Sequence, residues 1–157
     1  MGSTVLEAKT AAVPTPTYEG DFVLDGDLLL ECGRILSRPV LHYAVYGRLN
    51  EARDNAVLVC HALSGSALVG SWWPGLFEGI VDLGRDCALC VNLLGSCYGS
   101  TGPGSVDAET GEIFGPEFPL VSIGDICIRG RWVMALDSVP SHQMVGCDSP
   151  VRLLTRQ

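Results

Sequence analysis

Two continuous apolar runs, each followed by a loop rich in glycine and serine, constrain the fold more than any other feature of this sequence. The first run is NAVLVCHAL at residues 55–63, and the second is CALCVNLLG at residues 87–95. Strands that are apolar on both faces belong to a sheet covered on both sides, and such sheets are usually parallel. The two runs therefore predict neighbouring parallel strands in an α/β fold.

The segment between the runs predicts the crossover. It reads WWPGLFEGIVDLGRD at residues 72–86, where Pro74 suits a first helical turn and the apolar spacing suits a short amphipathic helix. A strand, a helix and a second parallel strand make a βαβ unit. Ligands in such sheets bind at the carboxyl ends of the strands, so the loops at residues 61–66 and 92–103 are the candidate site.

The regions around this unit predict an antiparallel start and an irregular end. Asp25-Gly26 indicates a hairpin within residues 21–33, and PVLHYAVYG at residues 39–47 predicts a further strand. Ser122 and Asp125 resemble a capping box at a helix start. We expect three parts: a flexible leader at residues 1–17, a domain at 18–136, and a poorly ordered, irregular tail at 137–157.

Composition excludes several functional classes. The formal net charge is −8 and the isoelectric point is about 4.7, without the basic stripe that a nucleic-acid partner requires. No apolar run is long enough to span a bilayer, and the first residues lack a secretory signal pattern. We therefore expect a cytoplasmic protein with neither a nucleic-acid nor a membrane partner.

The seven cysteines predict no disulfide framework, because their number is odd and no secretion signal is present. Cys87 and Cys90 form a CxxC motif, which is compatible with zinc or redox chemistry. A second CxxC and suitably spaced histidines are missing, so strand packing is favoured and no metal is expected.

Five segments in collinear order within residues 20–126 resemble the homoserine O-acetyltransferase family, acyl-CoA-dependent enzymes of methionine biosynthesis with an α/β-hydrolase fold. The segments are LHYAVYGRLN, NAVLVCHALSGSALV, WWPGLFE, VNLLGSCYGSTGP and TGEIFGPEFPLVSIGDI. The resemblance implies an incomplete α/β-hydrolase-like sheet, L-homoserine and acetyl-CoA as substrates, no bound cofactor, and a homodimer as a candidate assembly. In such enzymes a serine on a nucleophile elbow carries the acetyl group, with an aspartate and a histidine as its partners.

The resemblance also implies roles for individual residues. The backbone N–H of Leu63 would be an oxyanion donor, and His61 would order its loop rather than act as the base. The wall of the substrate pocket would comprise His61, Gly95, Cys97, Gly99, Ser100, Thr101 and Gly102.

The similarity stops after Ile126, and no Gly-x-Ser-x-Gly elbow occurs in the 157 residues. Ser141, His142 and Asp148 could be written as a triad, but residues adjacent in sequence rarely converge in this way. A shifted reading frame, a splice alternative or a truncation would each produce such a tail. We therefore predict no acetyl transfer by this chain alone, and the alternative is a non-catalytic fragment or interaction module.

A nucleophile-elbow pattern with cysteine in place of serine occurs at Gly95-Ser96-Cys97-Tyr98-Gly99. This pattern suggests a cysteine hydrolase as a further alternative. An elbow sits between a strand and a helix, whereas a segment rich in glycine and proline follows Cys97. We expect Cys97 to be a thiol of the pocket loop and not a nucleophile.

Overall fold

The computed structural model describes residues 13–62, residues 64–126 and the backbone of residues 152–155. Five strands form one sheet in the order β1-β4-β6-β5-β7, and β2 pairs with β3 in a separate ribbon. The strands are β1 Tyr18–Val23, β2 Leu28–Leu29, β3 Ile35–Leu36, β4 Val40–Tyr46, β5 Ala56–Cys60, β6 Cys87–Val91 and β7 Arg152–Thr155. The fold is α/β, with an antiparallel start followed by parallel strands.

The parallel pair predicted from the two apolar runs is present. β5 and β6 pair in parallel, with Val59 opposite Cys90. The crossover differs from the predicted single helix, because it contains the one-turn helix α1, Val69–Trp72, and then a 3-10 helix, Pro74–Glu78. Pro74 does occupy a first turn, but Gly79 ends the 3-10 helix after five residues, and glycine disfavours a longer helix.

The predicted hairpin at Asp25-Gly26 is wrong. β1 pairs with β4 over its whole length, whereas β2 pairs with β3. Gly26 does bend the chain with a φ of 101°, but the turn that closes a hairpin lies at Gly33, with a φ of 83°. Burial decides between the two turns, because Leu28 belongs to a separate apolar cluster with Leu36 and Leu94.

Both faces of the parallel strands are buried, as the continuous apolar runs require. Val57 and Val59 face the first core cluster, which Leu76 and Val81 cover from the crossover. Leu89 lies in a second cluster together with side chains of β4. Each fully buried side chain of this size contributes roughly 1.5–3 kcal/mol, so this layer holds the loops at its edge in place.

The predicted capping box at Ser122 is confirmed, with aspartate in the position that glutamate usually takes. The Asp125 N–H donates to Ser122 Oγ over 3.0 Å, and the Ser122 N–H donates to Asp125 Oδ2 over 2.8 Å. Asp125 Oδ1 also accepts the Glu31 N–H, which ties helix α2, Ile123–Ile126, to the β2–β3 ribbon. Burial alone would raise the pKa of Asp125, but these hydrogen bonds outweigh it and lower the pKa.

The two ends of the chain differ from expectation where they are described. Within the tail predicted to be irregular, β7 pairs in parallel with β5, and Leu153 lies opposite Leu58. The free edge of β5 offers backbone partners, and four residues are too few to show a period in the sequence. At the other end, Thr17 already hydrogen bonds to the Val45 carbonyl oxygen, so ordered contacts begin before the predicted boundary. Residues 1–12, and any continuation of α2 towards residue 136, lie outside the described residues.

Candidate functional site

Two loops meet at the carboxyl edge of the parallel strands. We call residues 61–66 the first strand-end loop and residues 92–103 the second strand-end loop, since they follow β5 and β6. The two strands are hydrogen-bonded neighbours, so their ends lie side by side. This is the position at which an open α/β sheet binds its ligands.

Asn92 links the second strand-end loop to Ala67, the residue directly after the first strand-end loop. It was not among the predicted site residues. Its side chain is 1% exposed, and Oδ1 accepts the Ala67 N–H over 2.6 Å. Its Nδ2 donates to the carbonyl oxygen of Tyr98, within the second strand-end loop. The available sequence signal was an amide side chain placed directly after an apolar strand, because such a residue must find partners when buried.

His61 makes a second link between the loops. Its Nδ1 lies 2.8 Å from the Ala62 carbonyl oxygen, and its Nε2 accepts the Leu93 N–H over 3.4 Å. A neutral ring with its proton on Nδ1 satisfies both hydrogen bonds. Both ring nitrogens are therefore engaged by backbone groups, which supports a loop-ordering role rather than that of a base.

The second strand-end loop folds back onto β4. The Thr101 N–H donates to the Val40 carbonyl oxygen, and Thr101 Oγ1 accepts the Val40 N–H, both over 2.8 Å. Ser100 Oγ accepts the His42 N–H and donates to the Asn92 carbonyl oxygen. These bonds fix the loop at both ends, which gives it a defined shape before any ligand arrives.

The predicted pocket residues divide into three groups. Gly95, Ser100 and Gly102 form the framework of the loop, Gly99 and Thr101 also border a surface cavity beside β1 and β4, and Cys97 is exposed. Leu63, the predicted oxyanion donor, lies outside the described residues. On either side of it, the Gly65 N–H donates to the Ala62 carbonyl oxygen over 2.8 Å.

Cys97 does not have the surroundings of an elbow nucleophile. The residues after it are bends and turns, and the next helix in the described chain is the 3-10 helix Gly115–Glu117. An elbow needs a helix directly after the nucleophile, and its N-terminus would help to activate a thiol. This geometry supports the interpretation of Cys97 as a loop thiol.

Cysteine alkylation should separate Cys97 from the strand cysteines. We expect iodoacetamide near neutral pH to modify exposed Cys97 readily and to leave Cys87 and Cys90 unmodified until denaturant is added. Burial raises the pKa of Cys87 to about 11 and that of Cys90 to about 12, and it also blocks access to both thiols. Peptide mass mapping reads the result, and equal protection of Cys97 and Cys90 would contradict it.

The CxxC motif is part of the strand packing. Cys87 lies in one core cluster and Cys90 in the cluster on the opposite face of the sheet. Residues three apart in a strand point to opposite faces, so the two thiols cannot share a ligand. Across the described ranges, no group of three or more His, Cys, Asp or Glu side chains could hold a metal ion.

His42 lies between two carboxylates beside the second strand-end loop. Its Nδ1 lies 2.7 Å from Asp21 Oδ1, and its Nε2 lies 3.0 Å from Glu19 Oε1. A Cβ added to Gly99 would come within 2.9 Å of the His42 Cβ, so the loop packs directly on this side chain. Burial lowers the pKa of His42, but the hydrogen bonds and charges of the two carboxylates outweigh it and raise the pKa overall.

The raised pKa of His42 predicts a pH dependence of stability. The charged ring stabilises the fold fully below its unfolded pKa of about 6.5, and this contribution is lost as pH rises through the higher folded pKa. Urea unfolding between pH 5 and pH 9 measures this loss as a fall in the free energy of unfolding. We expect the His42→Gln variant to lack this fall. An unchanged pH profile in the variant would exclude the contribution of His42.

Comparisons with known proteins bear on this site. No family model matches the chain. Among curated relatives, the homoserine O-acetyltransferase of Chlorobium luteolum is 52% identical over 98 residues, which cover 61% of this chain and 27% of the relative. The homoserine O-acetyltransferase of Chloroherpeton thalassium is 50% identical over 120 residues, which cover 75% of this chain and 32% of the relative. Over its N-terminal region, this chain is similar to homoserine O-acetyltransferases. It spans about a third of the length of the curated relatives it matches.

Solved structures agree on the fold. A homoserine O-acetyltransferase from Bacillus anthracis superposes with a TM-score of 0.65 at 25% identity, over 76% of this chain and 36% of the other. Esterase E22 superposes with a TM-score of 0.62 at 24% identity, over 76% of this chain and 38% of the esterase. The described sheet thus matches part of an α/β-hydrolase-type fold. Within the described residues, no helix is both long and apolar enough to cross a membrane.

Proposed function

We propose that residues 18–126 supply part of an acyltransferase site of the homoserine O-acetyltransferase type. The reaction would move an acetyl group from acetyl-CoA to the hydroxyl of L-homoserine, in the cytoplasm. The observation that carries this proposal is the buried Asn92, which ties the second strand-end loop to the end of the first at the carboxyl edge of the sheet. The curated relatives named homoserine O-acetyltransferase support the choice of reaction.

The first strand-end loop would stabilise the negative charge that develops on the carbonyl oxygen of the acetyl group. A backbone N–H of Leu63 would donate to this oxygen. Such donors work best when they are fixed before the charge forms, because no reorganisation is then needed. The hydrogen bonds of Ala62 to Gly65 and His61 hold the loop on both sides of Leu63.

The second strand-end loop would form a wall of the substrate pocket. Glycine lets the loop pack closely on its own surroundings, with Gly99 against the His42 side chain and Gly102 against the Ser96 carbonyl oxygen, so the wall has a compact, fixed backbone. Acetyl-CoA and L-homoserine would meet at this wall, and the acetyl carbon would face the first strand-end loop.

The chain by itself is proposed to be inactive. Its sequence contains no Gly-x-Ser-x-Gly elbow, so the serine that would accept the acetyl group is not supplied in the usual motif. Oxyanion donors and pocket walls retain only a small part of such an enzyme's rate enhancement once the nucleophile is removed.

A chimera tests the proposal directly. The matched residues of the Chlorobium luteolum enzyme are replaced by those of this chain, and CoA release from acetyl-CoA is measured with L-homoserine. We expect the chimera to turn over and the isolated chain to show none. A Cys97→Ser chimera should keep its activity within about twofold, because the thiol takes no part in the chemistry.

Two results would contradict the proposal. A folded chimera without turnover would show that these loops do not fit the reaction. Turnover by the isolated chain, lost on substitution of a loop residue, would show that the nucleophile lies within this sequence. Circular dichroism of each protein establishes that it is folded before activity is compared.

A non-catalytic interaction module is the second candidate. It is favoured by large apolar side chains that are exposed on the β2–β3 ribbon and around the start of α2, namely Leu29, Ile35, Leu120 and Ile123. Exposed groups of this kind often mark contact surfaces. Sedimentation velocity over a range of concentrations tests this candidate, because a chain that stays monomeric would lack the association expected of an interaction module.

A further inference from the structure

The two ends of the main sheet differ in how strongly they oppose pairing with another chain. Among the described strands, β1 lies at one end, and β5 would be the other end without β7. β1 carries Glu19 and Asp21, and charged side chains on an edge strand oppose the addition of a further strand. β5 reads AVLVC, which contains neither a charge nor a proline. The edge of β5 is therefore the one that accepts a further strand more readily.

β7 occupies the edge of β5 through a short parallel ladder. Val57 lies opposite Arg152, and Cys60 lies opposite Thr155. Parallel pairing is slightly less stable per residue than antiparallel pairing, and a strand of four residues forms only a few hydrogen bonds. β5 pairs with β6 on its other side, so detachment of β7 leaves that pairing intact. The edge can thus lose and regain this strand while the rest of the sheet persists.

The length of the chain does not restrict β7 to its own copy. Helix α2 ends at Ile126, and 25 residues, 127–151, connect it to β7. Fully extended, a connection of this length spans at most about 80 Å, several times the radius of a domain of this size. The strand can therefore reach the β5 edge of a second copy. Every backbone partner that β5 offers within one copy is offered by the other copy as well.

The distribution of charge favours such an encounter. Residues 127–157 contain four arginines and two aspartates, whereas the whole chain has a net charge of −8. The acidic excess therefore lies entirely in residues 1–126. Two copies repel each other overall, but the basic C-terminal segment of one is attracted to the acidic residues 1–126 of the other.

We propose that the edge of β5 is a strand-docking site through which two copies of this chain exchange β7. In the exchanged dimer, Arg152–Thr155 of each copy pair in parallel with β5 of the other, in the register of the single chain. In dilute solution the tether favours pairing within one copy, because it holds the strand at a local concentration of about 1 mM. The inference goes beyond acyl transfer, since it requires neither acetyl-CoA nor a nucleophile.

Disulfide cross-linking of full chains tests the exchange. Neighbouring strands lie about 4.8 Å apart, so the Cα atoms of Cys60 and Thr155 lie within the range that a disulfide spans. Thr155→Cys at about 5 µM should form this disulfide within one chain when oxidised glutathione is added. Its absence would show that β7 does not occupy the edge, and the proposal would fail.

A mixture of two chains detects the exchange itself. One chain carries Thr155→Cys together with Cys60→Ser, so it cannot form the disulfide within itself. The other is the natural chain labelled with heavy nitrogen, which supplies Cys60. We expect a disulfide between an unlabelled and a labelled peptide, with a yield that rises at least fivefold between about 5 µM and about 500 µM protein. Peptide mass mapping measures this yield. An internal disulfide in the Thr155→Cys chain, with none between copies in the mixture, would exclude exchange.

Leu154→Cys, also combined with Cys60→Ser, is the matched control. Leu154 lies opposite Val59, and successive residues of a strand face opposite sides of a sheet, so we expect at least roughly tenfold less disulfide with Cys60. Equal yields would indicate random collision and contradict the proposal. Circular dichroism shows whether each variant is folded, and if the Thr155→Cys double variant is not, Thr155→Cys alone is mixed with the labelled chain. Because no step involves acyl transfer, an inactive chimera does not affect these measurements.

Discussion

Replacing Asn92 with alanine is expected to lower the free energy of unfolding by about 3 kcal/mol. The Asn92 side chain and Ala67 are both buried, so water cannot replace the hydrogen bond between them. The substitution leaves the Ala67 N–H without a partner, at a cost of about 1–3 kcal/mol, and it also removes the hydrogen bond to the Tyr98 carbonyl oxygen. Urea unfolding followed by circular dichroism measures the change.

Two further variants make the Asn92 prediction specific. Asn50→Ala removes an exposed asparagine whose side chain makes two hydrogen bonds with Asp54. We expect the free energy of unfolding to change by no more than about 0.5 kcal/mol. Asn92→Asp keeps an acceptor for the Ala67 N–H but places a carboxylate oxygen against the Tyr98 carbonyl. It should destabilise at neutral pH and recover partly in acid, because a protonated carboxyl can donate again. Equal stability of the Asn92→Ala and Asn50→Ala proteins would refute the bridging role.

Asn92→Ala should also affect the chimera more than stability alone explains. Once the link is lost, the two strand-end loops can move relative to each other, and misplacement of catalytic groups by about 1 Å can cost about 10²-fold in rate. We expect kcat to fall by this order even at temperatures where the protein is fully folded. A kcat unchanged in the folded protein would show that the relative position of the loops does not matter.

Replacing Gly102 with alanine is expected to destabilise the chain by about 2 kcal/mol. A Cβ at this position would collide with the carbonyl oxygen of Ser96 and would lie 3.1 Å from the carbonyl carbon of Gly95. Both neighbours are backbone atoms, so the crowding cannot be relieved by turning a side chain. The loop must open instead, which weakens the hydrogen bond from the Gly95 N–H to the Thr101 carbonyl oxygen.

Gly104→Ala is the matched control for Gly102→Ala. Nothing lies within 4 Å of a Cβ added to Gly104, so we expect unchanged or slightly higher stability. Hydrogen exchange of the Thr101 amide, which donates to Val40, provides a second measurement that is local to the loop. Exchange that is no faster with Gly102→Ala than with Gly104→Ala would disprove the close approach of the two loop ends.

Local patterns in the sequence predicted part of the fold and of the candidate site. The apolar runs at β5 and β6 indicated burial on both faces, and the capping box at Ser122 was visible because both partners lie within one helical turn. The position of the two strand-end loops followed from the parallel pairing. Each of these features depends on residues that are close in the chain, or on a rule that holds for any parallel sheet.

Other features depended on contacts that no local pattern contains. Asp25-Gly26 and Gly33 are both acceptable turns, and only the packing of Leu28 and Leu36 against Leu94 selects the second. The segment after Trp72 has helical spacing, but its three glycines disfavour a long helix, and only the 3-10 helix Pro74–Glu78 forms there. The strand at Arg152–Thr155 exists because β5 has an edge that accepts it.

By itself, the sequence determined the antiparallel start of this protein, its parallel pair and the edge at which the candidate site lies. Only the tertiary structure decided which residues tie the second strand-end loop to Ala67 and to β4. The physical reason is that hydrophobic periodicity is a property of neighbouring residues, whereas hydrogen bonds of buried polar groups are formed by whatever the fold brings close. Asn92 bonds to an amide 25 residues away, and Asp125 bonds to one 94 residues away.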